Sequence, residues 1–285
     1  VRGQKWETVV GRLTRLSKIT KAQVVAFANK YLNDNYAIVY KLQGEDSTQQ
    51  KIDKPQITPI PSNRDIQSDF VQSILRSKVE PRFIDFNKDL VKTQTKKGLP
   101  VLYVQNKDNG LFTLSFHYDF GTETDKRLPV AADYLDYLGT DKLTAEQVKQ
   151  HFYELACSYS ISSSTDNTQI TLTGLNENLP KALALLEDLI ANAKADPVAY
   201  KEYVELMKKA RKDNMSNQQQ NFAALTAYGV YGPYNPVRNV MSNKELDNAH
   251  PQALLQLLRS LHTYKHRVLY CGQSTPTQLV ALIDK

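Results

Sequence analysis

Residues 130–140 read VAADYLDYLGT, and the interpretation of the whole chain depends on this short stretch. On a helix, Asp133, Asp136 and Tyr137 stand at i, i+3 and i+4, so they share one face. The zinc motif His-x-x-Glu-His uses this spacing to place two metal ligands and a general base on one helix face. Because the residue types differ from the motif, three interpretations remain: another metal site, an acid–base pair, or a catalytic helix without its chemistry.

The side chains themselves favour an ordinary surface. Two carboxylates one turn apart bind calcium or magnesium weakly, because these ions need six or more oxygen ligands and no nearby residue supplies the others. An acid–base pair requires burial, which a sequence does not show. Solvent-facing aspartates on an amphipathic helix, with Leu135 and Leu138 turned inward, are the simplest interpretation of the residues alone.

Composition excludes two classes of partner. The chain has 285 residues, 41% hydrophobic and 23% charged, with a net charge of +6. Its basic residues alternate with acidic ones, as in KEYVELMKKARKD, and form neither an Arg-rich arm nor an aromatic–basic platform, so we expect no nucleic-acid partner. No apolar run approaches the roughly 18 residues that a membrane span needs. The chain starts with VRGQKWETVVGRL, which has no signal-peptide pattern and is already helical in character, so we expect a piece of a longer protein.

The first part of the chain predicts a helix, a strand and a linker. Thr20 and Gln23 form a capping box at the start of AQVVAFANKYL, and the strand YAIVYKL (36–42) follows. Residues 43–82 are polar and contain prolines, which predicts a linker with one short helix at 71–76. The same helix–link–strand layout returns near the other end of the chain, in PQALLQLLRSL followed by HRVLYCG.

A second organised region begins near residue 83. GLPVLYVQN predicts a strand, Asn109-Gly110 a turn, and LFTLSFHYDFG a half-buried antiparallel strand. The apolar side chains of that strand alternate with polar ones and share a face: Phe112, Leu114, Phe116, Tyr118 and Phe120. Further along, the pattern predicts a helix capped by Thr144 and Gln147, the strands SYSISSS and NTQITLTG, an amphipathic helix LPKALALLEDLIANAKA, and a helix that Asp196 caps.

A second fragment of a zinc motif occurs at His151-Phe-Tyr-Glu154, where Leu155 stands in place of the second histidine. Leu155 lies seven residues after Val148 on the apolar stripe of its helix, which predicts packing against the core. A water-exposed histidine–glutamate pair is therefore the favoured interpretation. A directly active metallopeptidase that uses His151 and Glu154 with distant partners remains the rival enzyme hypothesis.

The order of elements from residue 91 resembles a peptidase domain of the pitrilysin/insulinase (inverzincin) zinc metallopeptidases. In that family a strand ending in Gly-Ser or Gly-Thr leads to a helix with His-x-x-Glu-His, then Gly-Thr, then a helix ending in Leu-Gly. Here a strand ends in FGTET (120–124), Gly139-Thr140 match directly, and Leu155-Ala156 fall where Leu-Gly is usual.

The resemblance implies a degenerate site. Asp133 takes the position of the first zinc histidine, Asp136 that of the catalytic glutamate and Tyr137 that of the second histidine. The remaining ligand of the family is a glutamate on a later helix, here YKEYVELMKKARKD, at a position that the sequence leaves open. We therefore expect no catalytic residue, metal ligand or cofactor in this segment, and zinc in the active domain of the parent protein.

The resemblance also implies the fold and the domain organisation. We expect an α+β fold with a mixed, largely antiparallel β-sheet and helices packed on one face, as in metallopeptidase/LuxS-like and mitochondrial-processing-peptidase-like domains. Residues 1–60 are expected to be closing helices and a strand of a preceding peptidase-like domain, 61–90 a linker between halves, and 91–285 an inactive peptidase-like domain.

The implied function is that of a non-catalytic domain of a zinc metalloendopeptidase. It would help to enclose and bind peptides or unfolded proteins and would support the active peptidase domains of the same polypeptide. An Arg/Tyr substrate-binding pair is expected beyond Lys285, and an intact HxxEH before Val1 would support this hypothesis. The family implies a periplasmic or secreted bacterial protein. A stand-alone peptide-binding or assembly module without a peptidase partner is the alternative from another class.

Overall fold

The computed structural model of the chain describes residues 3, 5–44, 53–59, 66–75, 80–81 and 83–285. It divides into two compact units, residues 1–78 and 79–285. The expected division into 1–60, 61–90 and 91–285 stays a prediction, and part of the expected linker lies outside the described residues. Among the described residues, no helix combines the length and the apolar character that crossing a membrane requires.

The first unit consists of short helices. They are α1 (Trp6–Val10), α2 (Arg12–Leu16), α3 (Lys21–Tyr31) and α4 (Asp69–Leu75). The predicted capping box is confirmed, because Thr20 and Gln23 bond reciprocally at the start of α3. The short helix predicted at 71–76 is confirmed as α4, and residue 76 lies outside the described residues.

The strand predicted at 36–42 is wrong, since this segment has no regular structure. A strand needs a neighbouring strand to accept and donate its backbone hydrogen bonds, and none of the described residues of this unit supplies one. Helix α3 has no buried residue, and its apolar side chains are exposed: Val24, Val25, Phe27 and Tyr31.

The second unit is built on a six-stranded mixed sheet. Its strands are β1 (Val91–Gln94), β2 (Pro100–Gln105), β3 (Leu111–Tyr118), β4 (Cys157–Ser163), β5 (Thr168–Leu175) and β6 (His266–Gly272). They lie in the order β1-β2-β6-β3-β5-β4, with β2 and β6 parallel and all other neighbours antiparallel. The expected α+β fold with a mixed, largely antiparallel sheet is confirmed.

The second unit also contains helices, several of which pack against this sheet. They are α5 (Leu128–Leu135), α6 (Ala145–Glu154), α7 (Leu179–Asn192), α8 (Pro197–Asn214), α9 (Gln218–Tyr231), α10 (Asn243–Asn248), α11 (Pro251–Ser260) and α12 (Pro276–Ile283). The predicted capping box at Thr144 and the predicted Asp196 cap of α8 are present, and Ser242 forms a further capping box at the start of α10. These local bonds satisfy the free N–H groups of the first helical turn and so define where each helix begins.

The alternation in β3 is confirmed, and it turns an apolar face towards the helices. Phe112, Leu114 and Tyr118 are buried. Ser115 belongs to the polar face and is also buried, and its hydroxyl has a partner in the Thr171 hydroxyl of the neighbouring β5, 3.0 Å away. Strand β1 was missed by the sequence analysis, since VKTQ is short, polar and mostly exposed.

A buried tyrosine fixes α8 against α5. The hydroxyl of Tyr134 donates to the Asp196 carbonyl oxygen at 2.8 Å and accepts from the Asp196 N–H at 2.8 Å. Tyr134 is fully buried, and its ring meets Tyr200 edge-on with centroids 5.2 Å apart. Because Asp196 also caps α8, this contact determines which face of α8 turns towards α5.

Candidate functional site

The helix that carries the candidate site ends earlier than the sequence analysis expected. α5 stops at Leu135, and Asp136 and Tyr137 lie in the turn that follows. There the N–H groups of Asp136 and Tyr137 donate to carbonyls three residues back, Asp133 at 3.3 Å and Tyr134 at 3.1 Å. The expectation of one helical face through Tyr137 is therefore wrong in its last turn, because i→i−3 bonds tighten the end of the helix.

The Gly139-Thr140 pair has a structural role directly after this turn. A Cβ atom on Gly139 would collide with the carbonyl oxygen of Leu143, so only glycine permits this close approach. The Thr140 hydroxyl then accepts a hydrogen bond from the Leu143 N–H at 3.3 Å. Glycine and threonine here shape the loop between α5 and α6.

The structure gives Asp133 a tyrosine partner that sequence analysis missed. The hydroxyl of Tyr203, on α8, donates to Oδ2 of Asp133 at 3.1 Å. Tyr203 is buried and its ring also contacts Tyr137, with centroids 5.4 Å apart. The signal in the sequence was the spacing of Tyr200, Tyr203 and Met207, which puts them on one side of α8. Asp133 and Tyr137 therefore both contact Tyr203.

Asp136 has a separate tyrosine partner on the sheet. The hydroxyl of Tyr159, on β4, donates to Oδ1 of Asp136 at 2.8 Å. Tyr159 also packs on Phe152 of α6, with ring centroids 5.0 Å apart. The three candidate residues are therefore divided between two neighbours: Asp133 and Tyr137 meet Tyr203, and Asp136 meets Tyr159.

Burial keeps both tyrosine hydroxyls protonated. It raises the pKa of Tyr203 and of Tyr159 far above the usual value, and the adjacent charges of Asp133 and Asp136 raise them further. Burial also chiefly raises the pKa of Asp133; the hydrogen bond from Tyr203 opposes this rise, and the charge of Asp136 adds to it. Each phenol is consequently a permanent donor to its carboxylate.

The family glutamate that the sequence left open has no counterpart facing Asp133. The residue of α8 that reaches Asp133 is Tyr203, whereas Glu202 and Glu205 are exposed. Glu205 pairs with Lys208 on the same helix, at 3.1 Å. A later glutamate ligand would have to occupy the side of α8 where this chain has a phenol.

These donors do not fit zinc. Zinc sites use four ligands from cysteine, histidine or carboxylate, and their water needs a general base. Here one oxygen of each carboxylate accepts a bond from a tyrosine hydroxyl, and Tyr137 is 42% exposed and carries no coordinating group of those types. Within the described part of the chain, no group of three or more histidine, cysteine, aspartate and glutamate side chains is arranged to hold a metal ion.

The second motif fragment lies on the outer surface of α6. His151 Nδ1 and Glu154 Oε2 are 3.4 Å apart, and both side chains are about half exposed. Glu154 also accepts a bond from Gln150 at 2.9 Å. Leu155 is partly buried and packs against the core, as its position on the apolar stripe predicted. The pair belongs to a solvated helix surface.

Ala156 stands where the family pattern has glycine, and its backbone reflects that. It has φ of 47°, which makes it the one non-glycine residue with positive φ among the described residues. This left-handed conformation is natural for glycine and strained for residues with a Cβ. The turn from α6 into β4 therefore has, at Ala156, the left-handed backbone conformation that glycine usually adopts.

Comparisons with known proteins agree with this geometry. Residues 133–231 match the model of a family described as insulinase (peptidase family M16), and the match begins at Asp133. A relative, the mitochondrial-processing peptidase subunit beta of Neurospora crassa, is 29% identical over 116 residues, which are 38% of this chain and 24% of the relative.

Solved structures show the same fold at low identity. A peptidase M16 inactive domain from Pseudomonas fluorescens is 15% identical with a TM-score of 0.57, covering 69% of this chain and 49% of its own. The periplasmic protease PqqL from Escherichia coli is 14% identical with a TM-score of 0.57, and the match covers 96% of this chain and 28% of PqqL. The ferredoxin protease FusC, solved with Arabidopsis ferredoxin, is 16% identical with a TM-score of 0.58, and the match covers 94% of this chain and 28% of FusC. This chain thus spans between a quarter and a half of the proteins that it matches.

Proposed function

Because residues 133–231 match the model of the family described as insulinase (peptidase family M16), we propose that the second unit of this chain is a non-catalytic domain of a zinc metalloendopeptidase of that family. In this proposal it helps to enclose and bind peptide or unfolded-protein substrates and supports the active domains of the same polypeptide, where the zinc is held. Residues 1–60 then close a preceding domain, and 61–90 join the two halves.

The observation that carries this proposal is the pair of tyrosine–aspartate hydrogen bonds at α5. Tyr203 and Tyr159 each donate to one oxygen of Asp133 and Asp136, the residues that the resemblance aligns with a zinc ligand and with the catalytic base. Such a site has the spacing of a catalytic helix without its histidine ligands, and its carboxylates serve as acceptors for two tyrosine hydroxyls.

The position of β4 supports a role in peptide binding. β4 is an outer strand of the sheet and pairs with β5 on one side, so its other side presents backbone N–H and C=O groups. An extended peptide can add to such an edge as a further strand. Because Tyr159 of β4 is bonded to Asp136, this edge adjoins the degenerate site.

The exposed apolar side chains of the first unit support the proposed preceding domain. In the second unit, α11 buries Leu254, Leu255 and Leu258 and leads to the central strand β6. The corresponding layout in the first unit leaves α3 without a buried residue and 36–42 without a partner strand. A sheet supplied by a preceding domain would pair that segment and cover α3. A periplasmic or secreted location completes the proposal, since one relative is a periplasmic protease.

Three measurements on the purified chain test the proposal. We expect far less than one zinc per chain after purification in zinc-containing buffer, no cleavage of a labelled unfolded peptide, and saturable binding of that peptide by fluorescence anisotropy. About one tightly held zinc per chain together with cleavage, abolished by Glu154→Gln, would establish the active-peptidase alternative. Absence of zinc, cleavage and peptide binding together would contradict the proposed role and favour an assembly module.

A further inference from the structure

A cavity of about 300 Å³ lies where three loops of the second unit converge, and it shares Thr122 and Asn239 with a neighbouring cavity that Asp133 lines. Its walls come from the loop after β3, the turn between β4 and β5, and the segment after α9. The side chains that matter for its chemistry are Glu123, Tyr231 and Tyr234. Neither the family resemblance nor the proposed role of α5 accounts for these three residues.

Backbone bonds hold the first two loops together. The N–H groups of Thr122 and Glu123 donate to the carbonyls of Ser164 and Thr165, each at 2.9 Å. Gly121 allows this approach, because a Cβ atom there would stand 2.5 Å from the Thr165 carbonyl oxygen. These bonds between the two loops therefore determine the backbone position of Glu123 at the cavity.

Side-chain bonds hold the third loop. Gly232, with φ of 75°, ends α9 and turns the chain between Tyr231 and Tyr234. Asn235 is 2% exposed, donates to the Gly232 carbonyl at 2.8 Å and accepts from the Arg238 N–H at 3.2 Å. Asn239 then donates to the Thr122 carbonyl at 3.1 Å, which ties this loop to the first. The cavity is thus formed before any ligand arrives.

The side chains of Glu123, Tyr231 and Tyr234 at the cavity are exposed and have no partners among the described residues. Tyr231 is 66% exposed and Tyr234 is 63% exposed. Within the described residues, the carboxylate of Glu123 and the two phenol groups have no hydrogen-bond, ion-pair or ring partner. By contrast, the nearby Lys126 and Arg127 are paired with Glu245 and Asp125. Among the residues that line the cavity, Glu123 is the one charged side chain, and it stands beside two exposed tyrosines.

We propose that this cavity binds the cationic side chain of an arginine or lysine in a bound polypeptide. Aromatic faces attract guanidinium and ammonium groups, and an unpaired carboxylate adds a charge-assisted hydrogen bond. Cavities of this size accommodate small ligands or single side chains. The inference deepens the proposed function, on which it rests: it assigns the substrate a basic residue and gives this domain a specificity pocket.

Matched peptides test the charge requirement. Labelled unfolded peptides that differ only in arginine, lysine or the neutral isostere citrulline are titrated against the whole chain by fluorescence anisotropy. We expect the arginine peptide to bind about tenfold more tightly than the citrulline peptide, with a preference that shrinks as salt rises from about 50 to about 300 mM.

Variants locate the preference in the cavity. Glu123→Gln should reduce the preference for arginine over citrulline to about twofold or less, and Tyr231→Leu with Tyr234→Leu should reduce it about fivefold. Matched controls outside the cavity, Glu154→Gln and Tyr153→Leu on α6, should leave it unchanged. Circular dichroism of each variant verifies that the fold is retained, and the conservative Tyr231→Phe should keep the preference.

The outcomes separate this inference from the proposed function. Equal binding of arginine and citrulline peptides would overturn the basic-side-chain pocket and leave the peptide-binding role intact. A preference that survives Glu123→Gln would also overturn it, because the selectivity would then arise elsewhere. If arginine amide alone bound as tightly as the peptide, the site would be one for small cations. Failure of all peptides to bind would remove both proposals.

Discussion

The hydroxyl of Tyr203 donates a hydrogen bond to Oδ2 of Asp133 at 3.1 Å, although the two residues stand 70 positions apart in the chain. This bond joins α8 to α5 at the residue that the resemblance aligns with a zinc ligand. Together with the bond from Tyr159 to Asp136, it links α5 to both a helix and the outer strand of the sheet. Asp133 and Asp136 therefore help to connect α5 to the rest of the second unit.

Removing the Tyr203 hydroxyl should weaken this junction. We expect Tyr203→Phe to lower the free energy of unfolding by about 1 kcal/mol, because Asp133 loses a donor while the aromatic packing on Tyr137 remains. In a domain of this size that corresponds to a fall in Tm of about 2–4 °C in thermal unfolding. The control Tyr153→Phe alters a tyrosine that is 85% exposed and should change nothing. An equal fall for both variants would argue against a specific bond.

Asp133→Asn tests the charge of the same pair. The pKa of Asp133 is raised above its ordinary value of 3.8, so the folded state binds the proton more tightly than the unfolded state. Ionised Asp133 therefore costs stability at neutral pH, and that cost disappears as pH falls through the folded pKa towards 3.8.

Asparagine keeps an oxygen that accepts from Tyr203 and carries no charge. We expect Asp133→Asn to be at least as stable as the natural chain at pH 7, with the difference shrinking towards acid, measured by Tm at each pH. Asp108→Asn, at an exposed turn, is the matched control and should show no such trend. If the variant were less stable than the natural chain at pH 7 and the difference in Tm did not change towards acid, the predicted direction of the effect would be wrong.

Metal removal should leave the chain unchanged. Because the α5 region has no zinc-type donor set, we expect EDTA to shift neither the Tm nor the circular dichroism spectrum. A Tm that drops with EDTA and returns on adding zinc would show a metal site and refute the degenerate interpretation.

Ala156→Gly should stabilise the turn between α6 and β4. Alanine at φ of 47° is strained, whereas glycine adopts this conformation freely. Glycine also raises the entropy of the unfolded chain, which offsets part of the relieved strain. We therefore expect the free energy of unfolding, measured by chemical denaturation, to rise by a net amount of about 0.5–1 kcal/mol. Ala145→Gly, in the first turn of α6, should do the opposite. A loss of stability for Ala156→Gly would indicate that the alanine methyl group makes contacts that matter.

Residues 79–285 should fold without the first unit. All buried apolar side chains of the described residues lie in this part of the chain, from Val101 to Leu279. We expect the fragment to keep the cooperative thermal transition of the full chain, and residues 1–78 alone to lack one, because α1, α2 and α3 bury no side chain. A fragment that fails to melt cooperatively would show that the first unit is needed for the core.

Several sequence predictions failed where a partner was required. The segment 36–42 has the composition of a strand and forms none, because a strand exists only with a neighbour. α5 ends one residue before Asp136, since i→i−3 bonds in the last turn replaced the expected helical ones. Strand β1 was missed because it lies at the edge of the sheet and lacks apolar alternation.

The sequence by itself determined what depends on near neighbours. The capping boxes at Thr20, Thr144 and Ser242, the alternation of β3 and the spacing around residues 130–140 are interactions between residues a few positions apart, so their patterns are visible in the letters. The tertiary structure alone decided that Tyr203 and Tyr159 satisfy the carboxylates of Asp133 and Asp136, and that Glu123 meets Tyr231 and Tyr234 at one cavity. Those contacts join residues far apart in the chain, and no local rule specifies which side chains the packing of sheet and helices will bring together.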